Sequence, residues 1–161
     1  LSFVVIFLIV IALLFAVVFF TKRRFGVLGL ALAAGAMLST LWVGDLTPII
    51  ANAGIQIIKP PLSSVVSAAL ILLPALLLLS SGPTYKSTIQ RVVGSLAFAV
   101  LAIALLLEPL GSALVMDTTG KPVYEFFVRY RAVVVTAGLI FAVVDLLFTK
   151  TPHRHHKDKE H

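Results

Sequence analysis

Apolar residues in this chain come in long uninterrupted runs. Leu1 to Phe20 contains Ser2 as its one polar residue, and Phe25 to Gly44 stops at Asp45. Leu62 to Leu79 carries Pro74, a fourth run begins near Val92 and reaches about residue 110, and a fifth covers Ala132 to Phe148. A helix crossing a hydrocarbon layer about 30 Å thick needs roughly 20 mostly apolar residues. Charges, or Gly, Pro and Ser, bound every run. Uniform apolarity hides any period, but segments of this length fit helices and not buried strands. The pattern predicts an all-α fold, a polytopic α-helical integral membrane bundle over residues 1–149. It has five transmembrane helices, or four if one segment is re-entrant, and a basic, His-containing flexible tail at 150–161.

The connections add detail. Thr47-Pro48 has the form of a helix start, a hydroxyl cap followed by proline at the first helical position. Ile49, Ile50, Ala53 and Ile57 then share one face, and Asn52, Gln56 and Lys59 the other, before Pro60-Pro61. About twelve amphipathic residues are too few to span, so a short interfacial amphipathic helix is expected, with a re-entrant loop as the alternative. Ser80-Ser81-Gly82-Pro83 and Thr119-Gly120-Lys121-Pro122 read as turns. Tyr124, Phe126, Phe127 and Tyr130 precede the last run and suit headgroup level. Glu125 and Arg129 lie one helical turn apart.

Composition excludes a soluble domain. Of 161 residues, 60% are apolar and 12% charged, and mean hydropathy is +1.08; soluble domains carry about 25% charged residues. The absence of cysteine removes disulfide scaffolds and thiolate metal sites. The first run has no basic segment before it and ends in Phe19-Phe20 where a cleavage site needs small residues, so it reads as a retained signal anchor.

Charge then sets orientation. With Lys22, Arg23 and Arg24 as topology determinants on the cytoplasmic side, nine of the 13 basic residues fall inside and four outside. The expected location is the inner (plasma) membrane, multi-pass, with the N-terminus outside and the tail cytoplasmic. The expected partners are the lipid bilayer and other membrane proteins or further copies of the chain, with no nucleic acid.

Candidate chemistry is sparse. No His-Glu-x-x-His motif occurs, no histidine falls in a span, and there is no glycine-rich phosphate loop. His153, His155 and His156 in the tail are a weak metal candidate without a scaffold, so no metal site or cofactor is expected. Glu108 and Asp145 are the acids inside spans, and such residues usually face protein or water. They fall near opposite ends, which excludes a shared-proton dyad. Either they handle protons or ions, or they pair with nearby cations, Asp145 with Lys150 one turn away. Packing gives a clearer signal. Ala31, Gly35 and Ser39 repeat every four residues, a small-residue stripe suited to close helix contact within the chain or between copies. Gly29 and Ala33 widen it, and Gly138 and Ala142 repeat it in the fifth run. Pro74 is expected to kink the third.

The anchor span, the segment Lys22-Arg23-Arg24-Phe25-Gly26-Val27-Leu28-Gly29 and the small-residue-rich second span together resemble the colicin V production protein family of bacterial inner-membrane proteins. Pro48 to Lys59 is similar to that family's amphipathic helix, and Gln90-Arg91-Val92-Val93-Gly94 to the entry into its last span. The resemblance covers about residues 1 to 115. It implies a non-enzymatic membrane protein associated with toxin production or export and envelope maintenance, with no catalytic residue. That family typically has four spans and an amphipathic cytoplasmic tail, whereas Ala132 to Phe148 is apolar enough for a fifth span. The expected function is a scaffold or accessory subunit, with Ala31, Gly35 and Ser39 at the contact. The alternative is a small transporter or channel using Glu108 and Asp145.

Overall fold

A computed structural model describes residues 3–55, 57–58, 60–81, 83–113 and 120–148. Five helices follow one another: α1 (Phe3–Thr21), α2 (Phe25–Asn52), α3 (Leu62–Leu79), α4 (Thr88–Ala113) and α5 (Gly120–Leu147). All five are long and apolar enough to cross a membrane, which makes the chain a multi-pass membrane protein. The tail at 150–161, with its three candidate ligands and Lys150, lies outside the described residues, as do Gln56, Lys59, Gly82 and Asp117.

α4 is the central post. Two thirds of its membrane window is buried, against 17% for α1 and 6% for α5. An unbroken buried run, Leu101 to Leu107, fills the middle of the bundle, because α1, α2, α3 and α5 all pack on this helix. Phe25, Leu28 and Leu32 of α2 and Val18 of α1 close the core around it. The helices alternate in direction. One end, the arginine end, gathers Lys22–Arg24, residues 80–81 and 83–91, and Asp145; the other, the glutamate end, holds Glu108 and the start of α5. α4 runs the whole depth as one 26-residue helix, so the fourth segment is not re-entrant.

Three expectations need correction. The separate interfacial helix does not form: α2 continues through Asp45 and Pro48 to Asn52. Thr47 is not a cap, because its hydroxyl donates back to the Val43 carbonyl at 2.6 Å. Only the Gly44 carbonyl loses a backbone partner to Pro48, and a helix leaving the hydrocarbon can offer that carbonyl to water. At 28 residues α2 is about 42 Å long and overhangs a layer of about 30 Å. Gly120-Lys121-Pro122 is not a turn but the first turn of α5, where proline's missing N–H costs nothing. The aromatic cluster is therefore helical and divides in two. Phe127 meets Phe7 of α1 edge-on at 5.0 Å, while Phe126 and Tyr130 stay exposed.

The small-residue stripe is used inside the chain. Ala31, Gly35 and Ser39 are all buried. Gly35 lies against the backbone of α3 at Leu70 and Ile71, and the Ser39 and Ser67 hydroxyls are 2.7 Å apart. Within one chain, Gly35 and Ser39 are thus taken up by α3, and the stripe packs the bundle. Gly29 serves a different contact, with Ala142 of α5.

Candidate functional site

Polar side chains concentrate at the arginine end, and they do so where helix ends need partners. The first amides of any helix and its last carbonyls have no intrahelical partner, and near lipid there is little water to supply one. α2 begins after Arg24, whose side chain does not cap it. Instead the Gly26 amide donates to Asp145 Oδ2 at 2.8 Å, from α5. The Phe25 amide donates to the Tyr85 hydroxyl at 3.0 Å, from the α3–α4 connection. A carboxylate at a helix N-terminus also suits the helix dipole.

The cations serve the opposite ends. Arg23 donates through Nε to the Leu79 carbonyl and through Nη2 to that of Ser80, both at 2.8 Å, closing the C-terminus of α3. Arg91 Nη2 donates to the Phe19 carbonyl at 2.8 Å, in the last turn of α1. Arg24 Nη2 forms an ion pair with Asp145 Oδ1 at 3.1 Å and also reaches the Asp145 carbonyl at 3.2 Å. Both partners are largely buried, at 16% and 10% side-chain exposure. The Nε atoms of Arg24 and Arg91 are buried without a hydrogen-bond partner. These two guanidinium groups lie over aromatic rings, Arg24 over Tyr85 at 5.4 Å and Arg91 over Phe19 at 4.6 Å, an attraction that offsets part of the cost.

Backbone contacts fasten the same region. Lys22 turns the chain with φ of 58°, a left-handed conformation that costs a non-glycine residue roughly 1–2 kcal/mol. It is held there because its carbonyl accepts from the Tyr85 amide at 2.9 Å and the Arg24 amide donates to the Pro83 carbonyl at 3.2 Å. The Tyr85 ring fits because α4 has a glycine beneath it: a Cβ at Gly94 would lie 2.5 Å from the ring. Burial pushes the Tyr85 hydroxyl above its ordinary value near 10; the Phe25 amide opposes the rise and Asp145 adds to it. A raised folded-state value means stability present in full below about pH 10 and lost as pH climbs through that raised value. Thermal unfolding in detergent between pH 9 and 11 should therefore fall more steeply for the wild type than for Tyr85→Phe. Parallel profiles would show that folding leaves the Tyr85 hydroxyl at its ordinary value.

No family model matches this chain, and no curated protein or solved structure does.

The glutamate end is more open. Glu108 is 79% exposed and pairs with Arg131 at 3.4 Å. Ser64 and Ser112 share a hydrogen bond of 2.7 Å beneath it, around a small cavity of about 160 Å³ that Glu108 and Ser67 also line. Glu108 and Asp145 are thus at opposite ends, as expected, and the packed middle of α4 lies between them. Lys150, the partner expected for Asp145, lies outside the described residues; among those described, Arg24 and the Gly26 amide hold the carboxylate. Of the three topology determinants, Arg23 and Arg24 also bind helix ends. The sequence reading missed Tyr85 and Arg91. A lone tyrosine in a short polar connection was the one available signal, and its partner glycine lies nine residues on.

Proposed function

We propose that this protein is a non-enzymatic integral membrane subunit that works by assembly, as a scaffold or accessory component for other membrane proteins. One observation carries the reading: the two candidate carboxylates, Glu108 and Asp145, are engaged by arginines, at opposite ends of a bundle whose middle is filled by buried side chains of α4. The acids that a transporter would use are committed to ion pairs, and Asp145 also closes a helix end. Outer helix faces remain as the means of action, with Val133 and Ile140 of α5 and Leu8 and Leu13 of α1 directed outward. The resemblance to the colicin V production family supports the same class of role, in toxin production or export and envelope maintenance. The excess of basic residues at the arginine end supports a cytoplasmic position for that end, an inner-membrane location and an outward N-terminus.

The test combines flux and contact. Vesicles carrying the wild-type protein should show no proton or cation flux above empty vesicles. In cells, a photo-crosslinking residue at Ile140 should give one discrete adduct with another membrane protein, and the same residue at buried Leu101 only products within the chain. A flux that both Asp145→Asn and Glu108→Gln abolish would replace this reading with a transporter.

A further inference from the structure

Three openings on the bundle surface form one continuous feature between α4 and α5. At the arginine end, a cavity of about 250 Å³ is lined by Arg24, Thr84, Lys86 and Gln90. A second, of about 300 Å³, shares Arg24, Tyr85, Gln90 and Phe148 with it and continues to Val93 and Phe141. Those last two residues also line a third, of about 400 Å³, which runs on between Ala97 and Val100 of α4 and Val134 and Ala137 of α5. The mouth is polar and cationic, and the trough beyond it is apolar and open to the side.

Dimensions and charge select an occupant. From Ile89 to Leu101 the trough covers thirteen residues of α4, about 18 Å of helix. One leaflet of hydrocarbon is about half of 30 Å thick. Its mouth lies at the bundle end where, among the described residues, Lys22, Arg23, Arg24, Lys86 and Arg91 face one carboxylate, Asp145. Basic pockets between transmembrane helices suit anionic headgroups. The trough exists because its walls carry Ala97, Ala137 and Gly138 where larger side chains would close it.

We infer that the α4–α5 groove is a binding site for one anionic phospholipid of the adjacent leaflet. The phosphate sits at Lys86, Gln90 and the edge of Arg24, and an acyl chain lies along Val93, Ala97 and Val100. Lys86 and Gln90 are exposed and can donate to a phosphate oxygen without leaving the mouth, while Asp145 keeps Arg24 in place as one wall.

The experiment is native mass spectrometry of the full chain released from detergent micelles, titrated with phosphatidylglycerol or phosphatidylcholine. One phosphatidylglycerol per chain should be retained, at roughly tenfold lower lipid concentration than phosphatidylcholine, and Lys86→Gln should weaken that retention about fivefold. Val100→Phe and Ala137→Phe, which fill the trough from either wall without touching a charge, should remove it. Val100 faces outward at 42% exposure, so that variant retains its fold and remains decisive if Ala137→Phe does not. Equal retention of the two lipids, retention unaffected by Val100→Phe, or an equal loss in Lys121→Gln at the far end would each overturn the assignment. So would displacement by millimolar inorganic phosphate, which would mark a site for free anions. Dimers that persist as lipid is added and vanish in Val100→Phe would assign the groove to a second copy instead.

Discussion

Asp145→Leu should destabilise the bundle by about 3 kcal/mol, the lower end of the range for breaking one side of a buried ion pair, since both side chains keep some exposure. The substitution leaves Arg24 largely buried beside an apolar side chain and removes the acceptor of the Gly26 amide. Replacing the cation as well changes the outcome. Arg24→Met in the same chain removes the stranded charge, and the double variant should recover all but about 1 kcal/mol, the loss expected for one unsatisfied amide. Thermal or denaturant unfolding in a single detergent measures both. A double variant no more stable than Asp145→Leu alone would mean that the two groups are not coupled.

Gly35→Leu should cost at least about 3 kcal/mol and in practice prevent accumulation of folded protein, at the upper end of what overpacking produces. A Cβ at this position would collide with the Ile71 carbonyl oxygen and lie 2.7 Å from that of Leu70. Both are backbone atoms, so no side-chain rotation relieves the contact. The Leu70 carbonyl is also the one that Pro74, four residues on, leaves without its helical amide. α2 sets the backbone of Gly35 close against that carbonyl. Gly35→Ala should act in the same direction with a smaller effect. Gly44→Ala is the control, because nothing lies within 4 Å of a Cβ there; it should be neutral or stabilise α2 by about 0.5–1 kcal/mol. Equal effects at both positions would show that loss of glycine, not contact with α3, is what matters.

Which parts of this were legible in the chain follows from which forces act locally. Five spans were readable because crossing hydrocarbon imposes length and apolarity on each segment separately. The ends of α2, α4 and α5 were not. A span stops where lipid stops, but a helix continues for as long as its own hydrogen bonds close, so Asp45, Pro48 and the aromatic residues from Tyr124 onward stay helical. The stripe of Ala31, Gly35 and Ser39 was visible as a close-packing surface, yet spacing alone does not say which helix it meets. Asp145 was visible as a costly acid, and the nearest cation in sequence, Lys150, was the obvious partner. Lys150 lies outside the described residues, and the partners of Asp145 among those described lie 121 and 119 residues away. Only the alternation of five helices brings the end of α5 beside the start of α2, and no local pattern encodes that meeting.

α1 packs on α4 rather than on its neighbour in sequence, and Arg91 at the start of α4 closes the end of α1. The order of synthesis then matters. From Thr21 to Ala113 the ribosome adds 92 residues, which at 5–20 residues per second takes roughly 5 to 18 s. For that interval α1 lacks the helix it packs on, and its Phe19 carbonyl lacks its arginine. The nascent bundle is a set of waiting parts until α4 arrives, and any factor that tends membrane proteins during translation meets α1 before the helix that covers it.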